Sequence, residues 1–356
     1  MPQPGKLRVA LLCGGKSAEH EVSLHSGLKV AKALDPLRFD PVLLGIDKAG
    51  NWHRMDLAAL EQSAKARKLL PVESERQSPG LFLSEDSRGI DVVFPVLHGP
   101  FGEDGAMQGL LKLANLPCVG AGVLGSAVGM DKDAMKRLLR DAGLPIARYR
   151  AYREHQRAEI AYSDIAAELG SPLFVKPANL GSSVGVSKAR NEMEFLAALD
   201  LAFRYDRKIL IEEAAGGREL ECAVLGNEHP QASVVGEVIS DATRHDFYSY
   251  QAKYLDEKGA TLRIPANLPA AISERIRTLA LQAFEALYCE GMGRVDFFLR
   301  ADGIILVNEI NTLPGFTATS MYPKLWEASG IGYTDLLSRL IDLAIERFAA
   351  EAKLRT

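Results

Sequence analysis

Residues 291–321 read GMGRVDFFLRADGIILVNEINTLPGFTATSM. Two apolar runs, Val295 to Leu299 and Ile304 to Val307, flank Ala301-Asp302-Gly303, and Asp-Gly between apolar runs signals a β-hairpin. Strand side chains alternate between faces, so Arg294 and Asp296 share one face while Val295, Phe297 and Leu299 take the other. On the returning strand Glu309 and Asn311 also share a face. One edge of the hairpin thus gathers two carboxylates, a carboxamide and a guanidinium. All-oxygen ligands with open positions suit Mg²⁺, which keeps waters and takes phosphate oxygens as its remaining ligands. Pro314-Gly315 follows, a turn whose backbone N–H groups can face an anion. Any one of these residues alone reads as a solvated surface side chain; four on one face beside such a turn do not. Two close carboxylates repel each other, and a divalent cation removes that difficulty.

The chain has 356 residues, enough for two or three domains and a substantial core. Hydrophobic residues make up 47% and charged residues 25%, which is ordinary globular composition. With a net charge of −4 nothing suggests a nucleic-acid or membrane-surface binder. No apolar run approaches the ~18 residues of a transmembrane helix, and the N-terminus lacks a signal-peptide core. Cys13, Cys118, Cys222 and Cys289 form no CxxC pair, which fits a reducing cytoplasm and no zinc site.

Leu7 to Cys13 reads as a buried strand, followed by Gly14-Gly15-Lys16-Ser17 and a helix pattern from about Val22 to Leu34. Helix N-termini attract anions, but a Walker A loop needs Gly where Ala10 stands, and a dinucleotide fingerprint needs a third Gly where Ala18 and Glu19 stand. The alternative is a plain tight turn. Glu19 and Glu21 either serve the helix dipole or present a carboxylate to an amine. Phe39 to Ile46 and Val92 to Leu97 read as further strands, 56–83 as polar surface helix and loop, and Pro117 to Gly122 as a short strand and turn. His98-Gly99-Pro100 and Gly102-Glu103-Asp104-Gly105 mark a functional loop at a strand's carboxyl end; His98 alone reads as a hydrogen-bonded structural histidine. Residues 1–133 are therefore expected to form an open parallel α/β domain.

Further on, the pattern predicts a helix from Met130 to Leu139, a helix over Tyr162–Leu169 and a strand from Leu173 ending in Lys176-Pro177. Gly181-Ser182-Ser183-Val184-Gly185-Val186 follows. Small residues beside a strand lysine let backbone N–H groups approach a phosphate; the alternative is a hairpin tip. Lys132 and Lys176, taken singly, read as solvated lysines. Lys208 to Ile211 leads into Glu212-Glu213-Ala214-Ala215, a passage suited to meeting a base edge-on, and Glu219 and Glu221 face one way in the next strand. After the strand Ser233 to Ile239, residues 240–259 carry Phe247, Tyr248, Tyr250, Lys253 and Tyr254. Such a stretch suits a water-excluding lid, with a surface loop as the alternative. Ala270 to Tyr288 and Tyr333 to Leu354 have helical spacing.

Taken together, GGKSAEHEVSLHSG, LHGPFGEDGAMQG, MDKD, FVKPANLGSSVGVSK, YSYQAKYL, GRVDFFL, NEINTLPGFT and TSMYPK resemble the ATP-grasp superfamily and, within it, the D-alanine–D-alanine ligase family, over essentially the full length. Each stretch is weak alone; their order and number make the match specific. The resemblance implies an α/β, three-domain ATP-grasp ligase: residues 1–133, 134–225 and 226–356, with ATP between the last two and the lid at 240–259. It implies ligation of two D-alanines through an acyl phosphate in the cytoplasm, with D-alanine as the small-molecule substrate, no nucleic-acid or membrane partner, and a homodimer. Asp296, Glu309 and Asn311 resemble the ligands of two Mg²⁺ or Mn²⁺ ions; Lys132, Lys176 and Ser183 the phosphate-binding elements; Glu212, Glu213, Ala215 and Glu219 the adenine and ribose contacts, with Phe247 of the lid on the nucleotide. Glu19 matches the acceptor of the first D-alanine's ammonium, and Ser182 and Tyr254 its hydrogen-bonded companions. His98, Lys253, Ser320 and Met321 match the substrate end, and Arg294 and Gly315 the oxyanion pocket. Ala214 departs from the bulky aromatic of many members, which alters packing around the base.

Three rivals differ in what they need. A sister ligase taking D-lactate or another nucleophile would differ in the lid, where Tyr254 matches the dipeptide-forming kind. A non-catalytic sensor on this scaffold would lack metal ligands, yet all three are present. A P-loop phosphotransferase built on Gly14–Ser17 is opposed by Ala10.

Overall fold

The computed structural model describes residues 5–66, 68, 89–240 and 260–354; residues 241–259 of the expected lid, with Phe247, Lys253 and Tyr254, lie outside them. Three sheets carry the architecture. The first contains β1 (Leu7–Gly14), β2 (Phe39–Ile46), β3 (Trp52–Met55) and β4 (Val92–Pro95) in the order β3-β2-β1-β4. β1 runs parallel to β2 and β4, as expected of an open parallel domain, and the sheet gains an edge strand that was not expected, β3, antiparallel to β2. The cause is local: Asp47 Oδ1 accepts the N–H groups of Ala49 and Asn51 at 2.9 and 2.8 Å, and Gly50 sits at φ +91°. So tight a turn can only send the chain back beside itself. The strand expected at Pro117–Gly122 is reduced to one parallel bridge, Val93 to Cys118.

The second sheet is antiparallel, in the order β5 (Tyr149–Arg153), β8 (Lys208–Glu213), β6 (Leu173–Pro177), β7 (Ser187–Ala189). Counting helices from α1 (His20–Ala33), α2 (Leu57–Ala66), α3 (Ala106–Leu113), α4 (Val123–Met130) and α5 (Lys132–Asp141), it is covered by α6 (Tyr162–Leu169) and α7 (Glu192–Phe203). Ile165, Phe195 and Leu199 pack there on Leu173, Val175 and Ile209.

The third sheet holds the opening hairpin. Its order is β11 (Ala260–Arg263), β10 (Gln231–Ser240), β9 (Arg218–Gly226), β12 (Gly291–Leu299), β13 (Ile305–Asn311), antiparallel throughout. α8 (Ala270–Ala286) buries Leu279, Ala283 and Phe284 with Cys222, Val295 and Phe297. On the other face Ala223, Leu225 and Met292 join α9 (Met321–Ala328), α10 (Tyr333–Glu351) and residues of the first sheet in one core. Strict alternation would place Val307 and Glu309 together. Instead Phe297 pairs with Val307 and Asp296 with Glu309, so Asn308 is an extra residue in a β-bulge. The bulge leaves Val307 in the apolar core, 1% exposed, and turns Glu309 to the face of Asp296.

Phe316 pins the segment after β13. Its ring meets Phe94 of the first sheet edge-on at 5.7 Å, Tyr322 at 5.8 Å and Tyr333 at 6.3 Å. Phe316→Ala is expected to cost about 3–5 kcal/mol, read as a lowered denaturation midpoint with an unchanged slope. A loss under about 1 kcal/mol would show that the ring does not hold the sheets together.

Candidate functional site

Two adjoining clefts lie where the three sheets meet. One, of about 450 Å³, is lined by Glu19, His98, Lys132, Ser182, Arg294, Glu309, Asn311, Gly315, Ser320 and Met321 among others. The other, of about 350 Å³, is lined by Lys132, Lys176, Ser182, Ser183, Glu212, Glu213, Ala215, Glu219, Asp296 and Glu309 among others. Every expected site residue within the described residues therefore lines one cleft or the other. Lys132, Gly181, Ser182, Glu221 and Glu309 line both and form the seam.

At the seam the hairpin presents its charges. Arg294 donates Nε to Asp296 Oδ1 and Nη2 to Oδ2, both at 2.7 Å, and Nε lies 2.9 Å from Glu221 Oε2. Burial works against the Arg294 charge, but Asp296 and Glu221 hold it well above the ordinary guanidinium range. Lys132 begins α5, whose N-cap Asp131 accepts the N–H groups of Asp133 and Ala134. Its Nζ donates to Leu180 O at 2.7 Å and stands 3.4 Å from Glu309 Oε2. Asn311 Oδ1 is buried with no hydrogen-bond partner among the described residues. An orphaned carboxamide oxygen beside two carboxylates fits a hard cation. Among the described residues no three His, Cys, Asp or Glu side chains form a ready-made cage. Two carboxylates and one carboxamide leave open positions on such a cation that waters or phosphate oxygens can fill.

The second cleft has a buried triad. Glu212, 3% exposed, lies 3.2 Å from Lys136 Nζ and 2.7 Å from Lys176 Nζ. Burial opposes its charge, but the two lysines hold the carboxyl below its usual range. Lys136 is entirely buried; its place one turn after Lys132 on α5 is the only sequence signal for it. Ser182 and Ser183 take φ of +52° and +58°, a left-handed conformation uncommon outside glycine and characteristic of loops whose N–H groups face a ligand.

The first cleft reaches back to the first sheet. Ser182 donates its hydroxyl to Glu19 Oε1 across 163 positions of sequence, and Glu19 is at the start of α1 with no side-chain hydrogen bond to that helix end. Glu19 therefore faces the cleft instead of capping the helix. His98 Nδ1 donates to Leu313 O at 3.1 Å, and its Nε2 accepts from Ser26 Oγ at 3.3 Å; burial lowers its pKa, so the ring is neutral. Both nitrogens are spent on protein, which favours the structural reading of His98 over direct substrate contact. Ser26 Oγ also accepts the Phe316 N–H at 3.2 Å, tying α1 to the Gly315 loop. A Cβ on Gly315 would stand 2.7 Å from Ser320 Oγ, so a side chain there would push that hydroxyl away from the Thr317 N–H it accepts. Glu103 and Glu221, which carry no role in the sequence reading, both line the first cleft.

The family described as D-ala D-ala ligase N-terminus matches residues 8–121, and that described as D-ala D-ala ligase C-terminus matches 138–342. The D-alanine–D-alanine ligase A proteins of Salmonella typhimurium and Escherichia coli are each 51% identical over 363 aligned positions, covering 99% of this chain and 99% of theirs. A D-alanine–D-alanine ligase of Shouchella clausii is also 51% identical, covering 99% and 98%. Among solved structures, the D-alanine-D-alanine ligase from Coxiella burnetii aligns with a TM-score of 0.83 at 39% identity, over 98% of this chain and 97% of that one. The VanG D-Ala:D-Ser ligase from Enterococcus faecalis aligns at 0.81 and 33%, over 95% and 99%. Sheets, clefts and full-length similarity agree: this chain belongs to the D-alanine–D-alanine ligase family and has its ATP-grasp fold.

Proposed function

We propose that this chain joins two D-alanine molecules into D-alanyl-D-alanine at the expense of ATP, releasing ADP and phosphate, for the synthesis of peptidoglycan precursors. The observation that carries this reading is the seam: Lys132, Ser182 and Glu309 belong to both clefts, so a nucleotide in one meets an amino acid in the other. We divide the chain as 1–133, 134–225 and 226–356, with the phosphates between the last two parts.

A carboxylate does not react with an amine directly, because the oxide ion is a poor leaving group. In the first step a carboxylate oxygen of the first D-alanine bonds to the γ-phosphorus while the bond to the β-phosphate oxygen breaks, giving an acyl phosphate and ADP. Glu19, oriented by Ser182, holds the ammonium of that D-alanine. Lys132 and Lys176 offset phosphate charge; Lys176 must then share itself between phosphate and Glu212. Asp296, Glu309 and Asn311 would hold the metal, two Mg²⁺ or Mn²⁺ in our reading, whose chemistry is to neutralise charge on the transferring group. In the second step the second D-alanine's amine bonds to the acyl carbon, phosphate leaves and a proton is lost. Ser320 and Met321 lie at the carboxylate end, and Arg294 with the Gly315 N–H faces the developing oxyanion, where losing one donor typically costs about 3–4 kcal/mol. Glu213, Ala215 and Glu219 line the second cleft, and we assign them to the base and ribose. Among the described residues no helix is long and apolar enough to cross a membrane. From the family resemblance we further propose that the enzyme is a homodimer acting in the cytoplasm.

Mass spectrometry after incubation with ATP, Mg²⁺ and D-alanine should show D-alanyl-D-alanine and ADP; their absence overturns the reading. Asp296→Asn and Glu309→Gln should each abolish turnover with circular dichroism unchanged, and full activity in either contradicts the metal assignment. Lys136→Met leaves Glu212 with one lysine in a buried setting. It is expected to destabilise by about 3 kcal/mol and to weaken ADP binding, measured by calorimetry; unaltered ADP affinity would remove Lys136 from the nucleotide site.

A further inference from the structure

The first cleft contains a buried carboxylate that the mechanism above does not use. Glu103 is 8% exposed. Its Oε1 accepts the Gly99 N–H at 2.8 Å, while its Oε2 has no hydrogen-bond partner among the described residues. It stands beside Glu19: a Cβ built on Gly181 would lie 3.2 Å from Glu19 Oε2 and 3.8 Å from Glu103 Oε1. Gly99 touches both as well, since a Cβ there would meet Glu19 Oε2 at 2.9 Å. Glycines at 99 and 181 thus leave open the space onto which both carboxylates converge. A buried carboxyl with one oxygen unmatched costs stability, and a second carboxyl alongside adds repulsion. Both penalties fall when a cation with several N–H donors occupies the gap.

We propose that Glu103 is a specificity-determining residue that completes, with Glu19, a two-carboxylate socket for the α-ammonium of the first amino acid. The inference rests on the ligase reading and adds to it a second anionic contact. An α-ammonium has three donors, enough for Glu19, Glu103 and a third acceptor, whereas the α-hydroxyl of a hydroxy acid has one donor and no positive charge. The socket therefore selects an amino acid at the position that becomes phosphorylated.

A pH signature follows. Burial, and then the neighbouring Glu19, push Glu103 up to about 8, against the pull of the Gly99 N–H, Lys132 and Arg294; His98 beside them is neutral. With the gap empty Glu103 holds its proton at pH 7. An ammonium in the socket favours the carboxylate, so D-alanine binding expels that proton. The affinity for D-alanine accordingly rises with pH towards about 8 and then levels off.

Calorimetric titration of D-alanine into the ADP-bound enzyme, in buffers of different ionisation enthalpy, reads the expelled proton directly. The wild type should release about one proton per first-site D-alanine at pH 7 and almost none at pH 9. Glu103→Gln should release almost none at either pH and bind D-alanine about ten- to hundredfold more weakly at pH 9. Glu103→Asp should keep proton release with weakened affinity. Equal proton release in wild type and Glu103→Gln, or unchanged D-alanine affinity, overturns the proposal. ADP affinity within about twofold of wild type shows that a variant is folded; should Glu103→Gln fail this, Glu103→Asp decides, and loss of proton release there overturns the proposal. A wild type that makes no dipeptide from ATP and D-alanine sinks the ligase reading itself, whereas dipeptide formation with a silent Glu103→Gln sinks this inference alone.

Discussion

The guanidinium of Arg294, gripped by Asp296 through two 2.7 Å hydrogen bonds and by Glu221 at 2.9 Å, is the constraint on which the rest of the site depends. Adjacent strands β9 and β12 bring Glu221 and Asp296 directly opposite each other, and β13 adds Glu309 on the other side. Three carboxylates so placed would repel one another in a poorly solvated cleft. A planar cation with five donors in a fixed fork can satisfy two of them at once without losing its charge. The sheet can then carry a concentrated negative field up to the point where phosphate and cation chemistry needs it.

Lysines balance the far side of the seam. Lys132 comes from the first turn of α5 and Lys176 from β6, with Lys136 buried behind. Glu212 keeps the two deeper lysines apart and is kept ionised by them. Lysines thus converge from α5 and β6, Glu221, Asp296 and Glu309 come from the third sheet, and the start of α1 and the loop after β4 supply Glu19 and Glu103. A nucleotide triphosphate and an amino acid are the sort of ligands that need both signs within a few ångströms, because one brings phosphate charge and the other an ammonium and a carboxylate.

Particular stretches show how far local chemistry carries. The hairpin was legible because Asp302-Gly303 supplies the turn and the apolar residues alternate; Gly303 takes φ +84°. The helix Tyr162–Leu169 falls where its periodicity puts it, ended by Gly170 at φ +86°. The short strand Trp52–Met55 was not legible, since it owes its existence to pairing with β2 across the Asp47 turn. Nor was Glu103, because a glutamate in a glycine-rich loop looks the same whether it faces water or a buried neighbour.

Residue types, their alternation and their turn signals were enough to specify the hairpin, its charged face and the ordered motifs of the family, since these depend on contacts close along the chain. The bulge at Asn308, which separates Val307 from Glu309, arises from packing Phe297 and Val307 against α8, a demand made by residues far away in sequence. The meeting of Ser182 with Glu19, and the convergence of Glu19 and Glu103 around Gly181, likewise come from docking three sheets on a shared core. Burial and proximity set the charge state and partners of these groups, and neither exists until the chain has folded.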